Sequence, residues 1–211
     1  DMKLKKIDFD KVTLESYQKY ITNDKINEEE LVKCFLNING QELKKIPLIK
    51  VDLYIAQITQ LLDEKNQDLV RTFTLNGVEY GFIPNLDKIT YGENADVTRY
   101  ISDYGTMHKA MAVLYRPIIQ KQKDKYLIED YEGSYKYAIE LKQMPIKIVF
   151  GAIVFFYRLT KKLSNAILNF LSKEATKDYR LKQVLAENGE DIQNSIRLVK
   201  ETFKDLIPLR N

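Results

Sequence analysis

Two carboxylates three residues apart, Glu93 and Asp96, have the spacing in this sequence that best fits chemistry. They fall in a segment with a helical pattern, and a carboxylate pair on a helix can hold a divalent cation or act in acid–base catalysis. The same residues also have a structural explanation, because Glu93 stands three residues after Thr90, as in a capping box. We favour the structural role and keep a small metal-dependent hydrolase as the enzymatic alternative.

The other candidates for chemistry are single residues. The sequence has one cysteine, Cys34, and one histidine, His108, so one chain cannot form a Cys/His zinc cage. Cys34 lies among apolar residues and is predicted to be a buried structural thiol, and His108 is predicted to be an ordinary surface or boundary residue. The Gly-rich loops that cradle phosphates are missing from the sequence. We therefore predict no catalytic residue, no cofactor and no metal.

The charge balance identifies no partner. The chain of 211 residues carries 33 Lys and Arg against 30 Asp and Glu, which leaves a net charge of +3 and makes nucleic acid an unlikely ligand. The basic clusters at residues 121–125 and 158–162 are interpreted as solvated. A 45% hydrophobic share with 30% charged residues is typical of an ordered globular protein. The most apolar stretch, residues 148–157, is too short for a membrane span and predicts a core helix.

The pattern along the chain divides into three zones. Residues 1–70 form a helical unit, with helices predicted at residues 12–23, from Asn27 onward and after Pro47. Residues 71–118 contain Asn76 and Gly77 between two β-prone runs, which predicts a β-hairpin. Helical pattern then returns and ends near Pro117.

The third zone, residues 119–211, is predicted to be a helical body. Its predicted helices cover residues 126–141, residues 145–171 and a last segment at residues 191–206. The predicted fold class is therefore mainly α: a multi-helix bundle with one inserted β-hairpin.

Three runs carry a resemblance to a known family: FTLNGVEYGFIPNLDKITYGENADV (residues 73–97), MHKAMAVLYRPI (residues 107–118) and GAIVFFYRL (residues 151–159). In this order they resemble an uncharacterised morphogenesis family of tailed bacteriophages, found in crAss-like and other phages of Bacteroidetes. The resemblance covers roughly residues 8–172. VTLESYQKY followed by ELKKIP also resembles tail assembly chaperones, which bind the tape-measure protein before tail tubes polymerise.

The resemblance implies a non-enzymatic virion structural or assembly protein that acts through protein–protein interfaces, in the virion or in the host cytoplasm during assembly. The expected partners are phage structural proteins, and homo-oligomerisation is left open. Glu79, Tyr115 and Arg116 are the candidate partner-binding residues, although Arg116 also suits a buried pair with a carboxylate. The alternatives are a tail assembly chaperone absent from the mature virion, the small hydrolase, and a host-takeover protein that sequesters a bacterial factor.

Overall fold

The computed structural model describes residues 7–23, 27–63, 67–123 and 125–175. Within these residues the chain forms seven α-helices and four β-strands. The helices are α1 (Leu14–Ile21), α2 (Glu28–Leu36), α3 (Gly40–Leu43), α4 (Leu48–Leu61), α5 (Tyr91–Ile101), α6 (Met107–Leu114) and α7 (Ile146–Ala175). The strands are β1 (Thr72–Leu75), β2 (Val78–Phe82), β3 (Tyr115–Gln122) and β4 (Lys125–Ile128).

The strands form one antiparallel sheet in the order β1-β2-β3-β4. The predicted hairpin is confirmed: Asn76 and Gly77 join β1 to β2 with φ angles of 50° and 82°, the conformation that makes Asn-Gly favourable in this turn. Strand β3 pairs with β2, and β4 pairs with β3 through a bulge between Ile118 and Gln120.

The predicted fold class is wrong. The molecule is a mixed α/β fold with a four-stranded sheet, and not a helix bundle with one hairpin. Strand β3 occupies residues for which the sequence predicts the end of a helix near Pro117 and a loop after it. Strand β4 occupies the start of the helix predicted over residues 126–141. That helix does not form: β4 is followed by Gly133 at a φ of 109°, by turns, and by a 3-10 helix at Glu140–Gln143.

The predicted helix starts are confirmed where a side chain caps the helix. Thr13 accepts a hydrogen bond from the backbone N–H of Ser16 at the start of α1, and Asn27 does the same for Glu30 at the start of α2. Helix α4 begins directly after Pro47, as predicted. These caps satisfy N–H groups that have no partner inside the helix.

Edge-to-face aromatic contacts fill the core near the N-terminal helices. The buried Tyr17 packs on Phe35 of α2 and on Phe150 of α7, with ring centroids 6.3 and 5.2 Å apart. An isolated β-bridge joins Thr13 to Pro145 just outside these helices. Ile148 and Val149 at the start of α7 are also buried, which agrees with the predicted core helix.

Contacts divide the chain into two compact units, residues 1–152 and residues 153–211. The sheet and helices α1 to α6 belong to the first unit. In the second, Phe155 and Phe156 make an edge-to-face ring contact. The predicted helix at residues 191–206 lies outside the described residues. No helix in the described part of the chain has the length and apolar character needed to cross a bilayer.

Candidate interaction surface

Arg116 forms a buried ion pair with Glu93. One terminal nitrogen of the guanidinium, Nη2, lies 2.6 Å from Oε1 of Glu93, and the two side chains are 8% and 6% exposed. Oε2 of Glu93 accepts a hydrogen bond of 2.7 Å from the backbone N–H of Thr90. The capping box is therefore confirmed, and Arg116 forms the buried pair with a carboxylate that the sequence also suited.

The second carboxylate of the predicted pair is also engaged within the fold. Asp96 accepts a hydrogen bond from the hydroxyl of Tyr131, and the ring of Tyr131 lies 5.5 Å from the guanidinium carbon of Arg116. Glu93 and Asp96 thus each have a protein partner. In the part of the chain that the structure describes, no group of three or more metal-ligating side chains comes together.

The pKa of Glu93 is lowered. Burial alone would raise it, but the hydrogen bonds from Thr90 and the pairing with Arg116 outweigh burial and hold the pKa below the ordinary value of 4.5. Such a carboxyl group binds a proton more readily in the unfolded chain than in the folded one, so acid favours unfolding. The stability that Glu93 contributes is fully present above its unfolded-state pKa and is lost as the pH falls through the folded-state pKa.

We therefore expect the Glu93→Gln variant to lose stability less steeply than the wild type below pH 4.5, the ordinary pKa of this group. The measurement is the urea midpoint of unfolding between pH 7 and pH 3 for both proteins. The gap between the two midpoints should be widest near pH 7 and should narrow in acid. A gap that stays constant over this range would show that Glu93 does not link folding to pH.

Cys34 and His108 have ordinary environments. Cys34 is half-buried, less than predicted, and burial raises the pKa of its thiol to about 11, so the thiol stays protonated near neutral pH. Nδ1 of His108 lies 3.1 Å from the amide nitrogen of Gln18, and burial lowers the pKa of the imidazole. A neutral imidazole whose Nδ1 accepts this hydrogen bond fits a structural contact.

Tyr115, a predicted partner-binding residue, lies in the core. Its side chain is fully buried, its hydroxyl donates a 2.7 Å hydrogen bond to the carbonyl of Val70, and its ring meets Phe73 and Phe82 edge to face. Neither Tyr115 nor the buried Arg116 presents surface to a partner. Of the three predicted residues, the structure leaves Glu79 on the surface.

Glu79 lies on the exposed part of the sheet. Its Oε1 is 2.5 Å from Nζ of Lys121 on β3, and both side chains remain well exposed, at 38% and 48%. This pair ties β3 to β2 beyond the last registered pair of those strands, Tyr80 and Pro117.

The opposite face of the sheet carries a run of apolar side chains that crosses its strands. Its inner end is aromatic: Phe73 stacks on Tyr80, and both lie near the buried Tyr115 and Phe82. Because side chains alternate along a strand, Val78 shares the face of Tyr80. The aromatic core of the sheet therefore continues outward into aliphatic residues.

The outer end of this face is exposed. Val78, Ile119 and Leu127, on three adjacent strands, are 38%, 63% and 56% exposed. The bulge between Ile118 and Gln120 places Ile119 beside Leu127, on the side opposite to the paired Ile118 and Ile128. We call Val78, Ile119 and Leu127 the aliphatic patch.

The sequence pattern does not predict most of the aliphatic patch. Val78 adjoins the predicted Glu79, but the pattern assigns Ile119 to a loop and Leu127 to a helix. The available signal was the short β-prone run Tyr126, Leu127 and Ile128, together with the apolar pair Ile118 and Ile119 before it.

A second exposed apolar group lies on α4. Leu48 and Ile49, at the start of this helix, are 76% and 66% exposed, and Leu53 follows one turn later. This group belongs to a helix and not to a strand.

No family model, no curated protein and no solved structure matches this chain. The candidate surface is therefore defined by the contacts and the exposure of the chain's own residues.

Proposed function

We propose that this chain is a non-enzymatic structural or assembly protein of a tailed bacteriophage, acting through protein–protein contacts at the aliphatic patch. The observation that carries the contact role is the exposure of Val78, Ile119 and Leu127 on neighbouring strands. Clustered exposed apolar side chains with charged neighbours are typical of interaction sites. Lys125 and Glu129, which share the face of Leu127, provide such charges.

The internal engagement of the carboxylates supports the non-enzymatic part of the proposal. Glu93 is buried against Arg116, and Asp96 accepts the Tyr131 hydroxyl. A cation would have to replace both partners before it could reach the two carboxylates. The phage part of the proposal rests on the resemblance of the three runs in their order along the chain.

Mass spectrometry of purified virions and of the infected-cell lysate tests this proposal. We expect the chain in virions at a copy number that matches a symmetric component, or in the lysate alone if it is a tail assembly chaperone. In a phage that carries Ile119→Asp, we expect virion incorporation or tail yield to fall at least tenfold.

The control is Leu48→Asp, which changes an aliphatic residue that is at least as exposed as Ile119 but lies on helix α4. Equal effects of the two variants would overturn the assignment of the aliphatic patch. Absence of the chain from virions, together with normal tails in its deletion mutant, would overturn the assembly role itself.

A further inference from the structure

Strand β4 is an edge of the sheet, because it pairs with β3 and comes last in the strand order. Among the described elements, its main contacts are with β3 and β2. Just after the strand, the N–H of Glu129 donates a 3.0 Å hydrogen bond to the carbonyl of Pro117 on β3. Since backbone groups alternate in direction along a strand, those of Tyr126 and Ile128 point to the outer side. Such groups form a template for pairing with another strand.

The side chains along β4 show which strand fits that template. Leu127, exposed within the aliphatic patch, shares its face with Lys125 and Glu129 because these residues alternate with Tyr126 and Ile128. This face thus presents a cation, an aliphatic side chain and a carboxylate in that order. An antiparallel copy of the same strand presents them in the reverse order, so that each charge can lie opposite its counter-charge.

We propose that β4 pairs antiparallel with β4 of a second copy of this chain, about a two-fold axis through Leu127. In this register Tyr126 faces Ile128 of the second copy, and their outward N–H and C=O groups form hydrogen-bonded pairs on both sides of the axis. Leu127 meets its own equivalent in a non-hydrogen-bonded pair, where side chains come closest. The proposal names a partner for the aliphatic patch and rests on the proposed interaction role of that patch.

Charge complementarity selects this register. With the axis at Leu127, Lys125 lies opposite Glu129 of the second copy, and symmetry creates this pair twice. With the axis at Tyr126, Lys125 would face Leu127, and with the axis at Ile128, Leu127 would face Glu129. Glu129 already accepts hydrogen bonds from Lys136 and Tyr137, both at Oε2, and these bonds hold its carboxylate beside the strand.

The other edge of the sheet, β1, lacks an exposed apolar side chain flanked by opposite charges. Its exposed residue is Thr74, and it places no exposed large hydrophobic side chain on the edge. A self-paired β1 would also have no oppositely charged residues in register. The two edges therefore provide a test and its matched control in the same chain.

Sedimentation velocity of the purified chain between 1 and 200 µM tests the proposal. We expect a reversible dimer in the wild type, and at least a tenfold rise in the dimer Kd for Leu127→Lys. The control is Thr74→Lys, which adds the same charge to the β1 edge and should leave the dimer Kd within twofold. Circular dichroism checks that each variant is folded.

Charge reversal gives a second measurement that simple misfolding would not mimic. Lys125→Glu and Glu129→Lys should each be monomeric alone, because each places like charges opposite one another. An equimolar mixture should form a heterodimer, since both cross-chain pairs are then opposite in charge. Failure of the mixture to associate, with both variants folded, would overturn the register.

A wild-type chain that stays monomeric at 200 µM would overturn self-pairing, as would a dimer unaffected by Leu127→Lys. Neither result bears on the presence of the chain in virions, so the two proposals fail separately. A monomer whose Ile119→Asp variant still blocks virion assembly would show that the aliphatic patch takes a different protein.

Discussion

Replacing Arg116 with methionine is expected to lower the free energy of unfolding by about 3–5 kcal/mol, the cost of leaving one partner of a buried ion pair uncompensated. The variant leaves the Glu93 carboxylate 6% exposed without its cation. Methionine fills much of the same volume, so the lost charge dominates the effect. Urea denaturation at pH 7 measures it.

The matched control is Lys121→Met, which breaks the exposed pair with Glu79 and should change stability by about 0–1 kcal/mol. The double variant Glu93→Gln/Arg116→Met should be more stable than the sum of the single losses predicts, because it removes both charges together. If Arg116→Met lowers the free energy of unfolding no more than Lys121→Met does, the buried pair does not hold α5 against β3.

Replacing Gly151 with alanine is expected to lower the free energy of unfolding by about 2 kcal/mol or more, against the usual gain of up to about 1 kcal/mol when alanine replaces glycine in a helix. A Cβ at this position of α7 would overlap the carbonyl oxygen of Asp68 and lie 3.1 Å from its carbonyl carbon. Backbone atoms cannot rotate away as a side chain can. The helix or the segment that leads into β1 must therefore shift.

Gly92→Ala provides the comparison for Gly151→Ala. It is also a helical position, in α5, but the nearest atom to an added Cβ is a ring carbon of Tyr131 at 3.8 Å, an ordinary contact. We expect Gly92→Ala to be neutral or mildly stabilising. Thermal unfolding of the three proteins side by side separates steric overlap from helix propensity, and a stabilised Gly151→Ala protein would contradict the close approach.

Local signals in the sequence were enough for the first hairpin and for several helix starts. Asn76 and Gly77 require no distant contact to favour their turn, and the Thr90 side chain caps α5 through an N–H three residues away. The carboxylate in that capping box, Glu93, was therefore also interpreted correctly. In each case the residues that specify the turn or the helix start lie within a few positions of it in the sequence.

Strand β3 could not be predicted in the same way, because its partner β2 lies two helices earlier in the chain, and β4 in turn pairs with β3. Pro117 looked like the end of a helix. In the sheet, the carbonyl of Pro117 accepts a hydrogen bond from the N–H of Glu129. Proline has no N–H to donate, but this position lies just before the first registered pair of β3 and β4, Ile118 and Ile128, so no registered pair of these two strands loses a donor. Tertiary pairing decided the structure of this segment, and with it the aliphatic patch.

The candidate site was predictable only where a local signal positions its residues. Glu79 follows a turn that the sequence specifies, so its place on the surface followed from the hairpin. Tyr115 and Arg116 begin a strand that the sequence did not reveal, and in that strand they are covered by β1 and β2 on one side and by α5 on the other. The Tyr115 ring and the Arg116 guanidinium therefore make their contacts inside the fold.

The β-bridge between Thr13 and Pro145 can form only late in synthesis of the chain, because its two residues are far apart in the sequence. The N–H of Leu14 bonds to the carbonyl of Met144, and the N–H of Ile146 bonds to the carbonyl of Val12. The ribosome must make the whole intervening sequence before these bonds can form, a wait on the order of ten seconds at about 5–20 residues per second. The start of α1 therefore leaves the ribosome long before its backbone partners Met144 and Ile146 have been made.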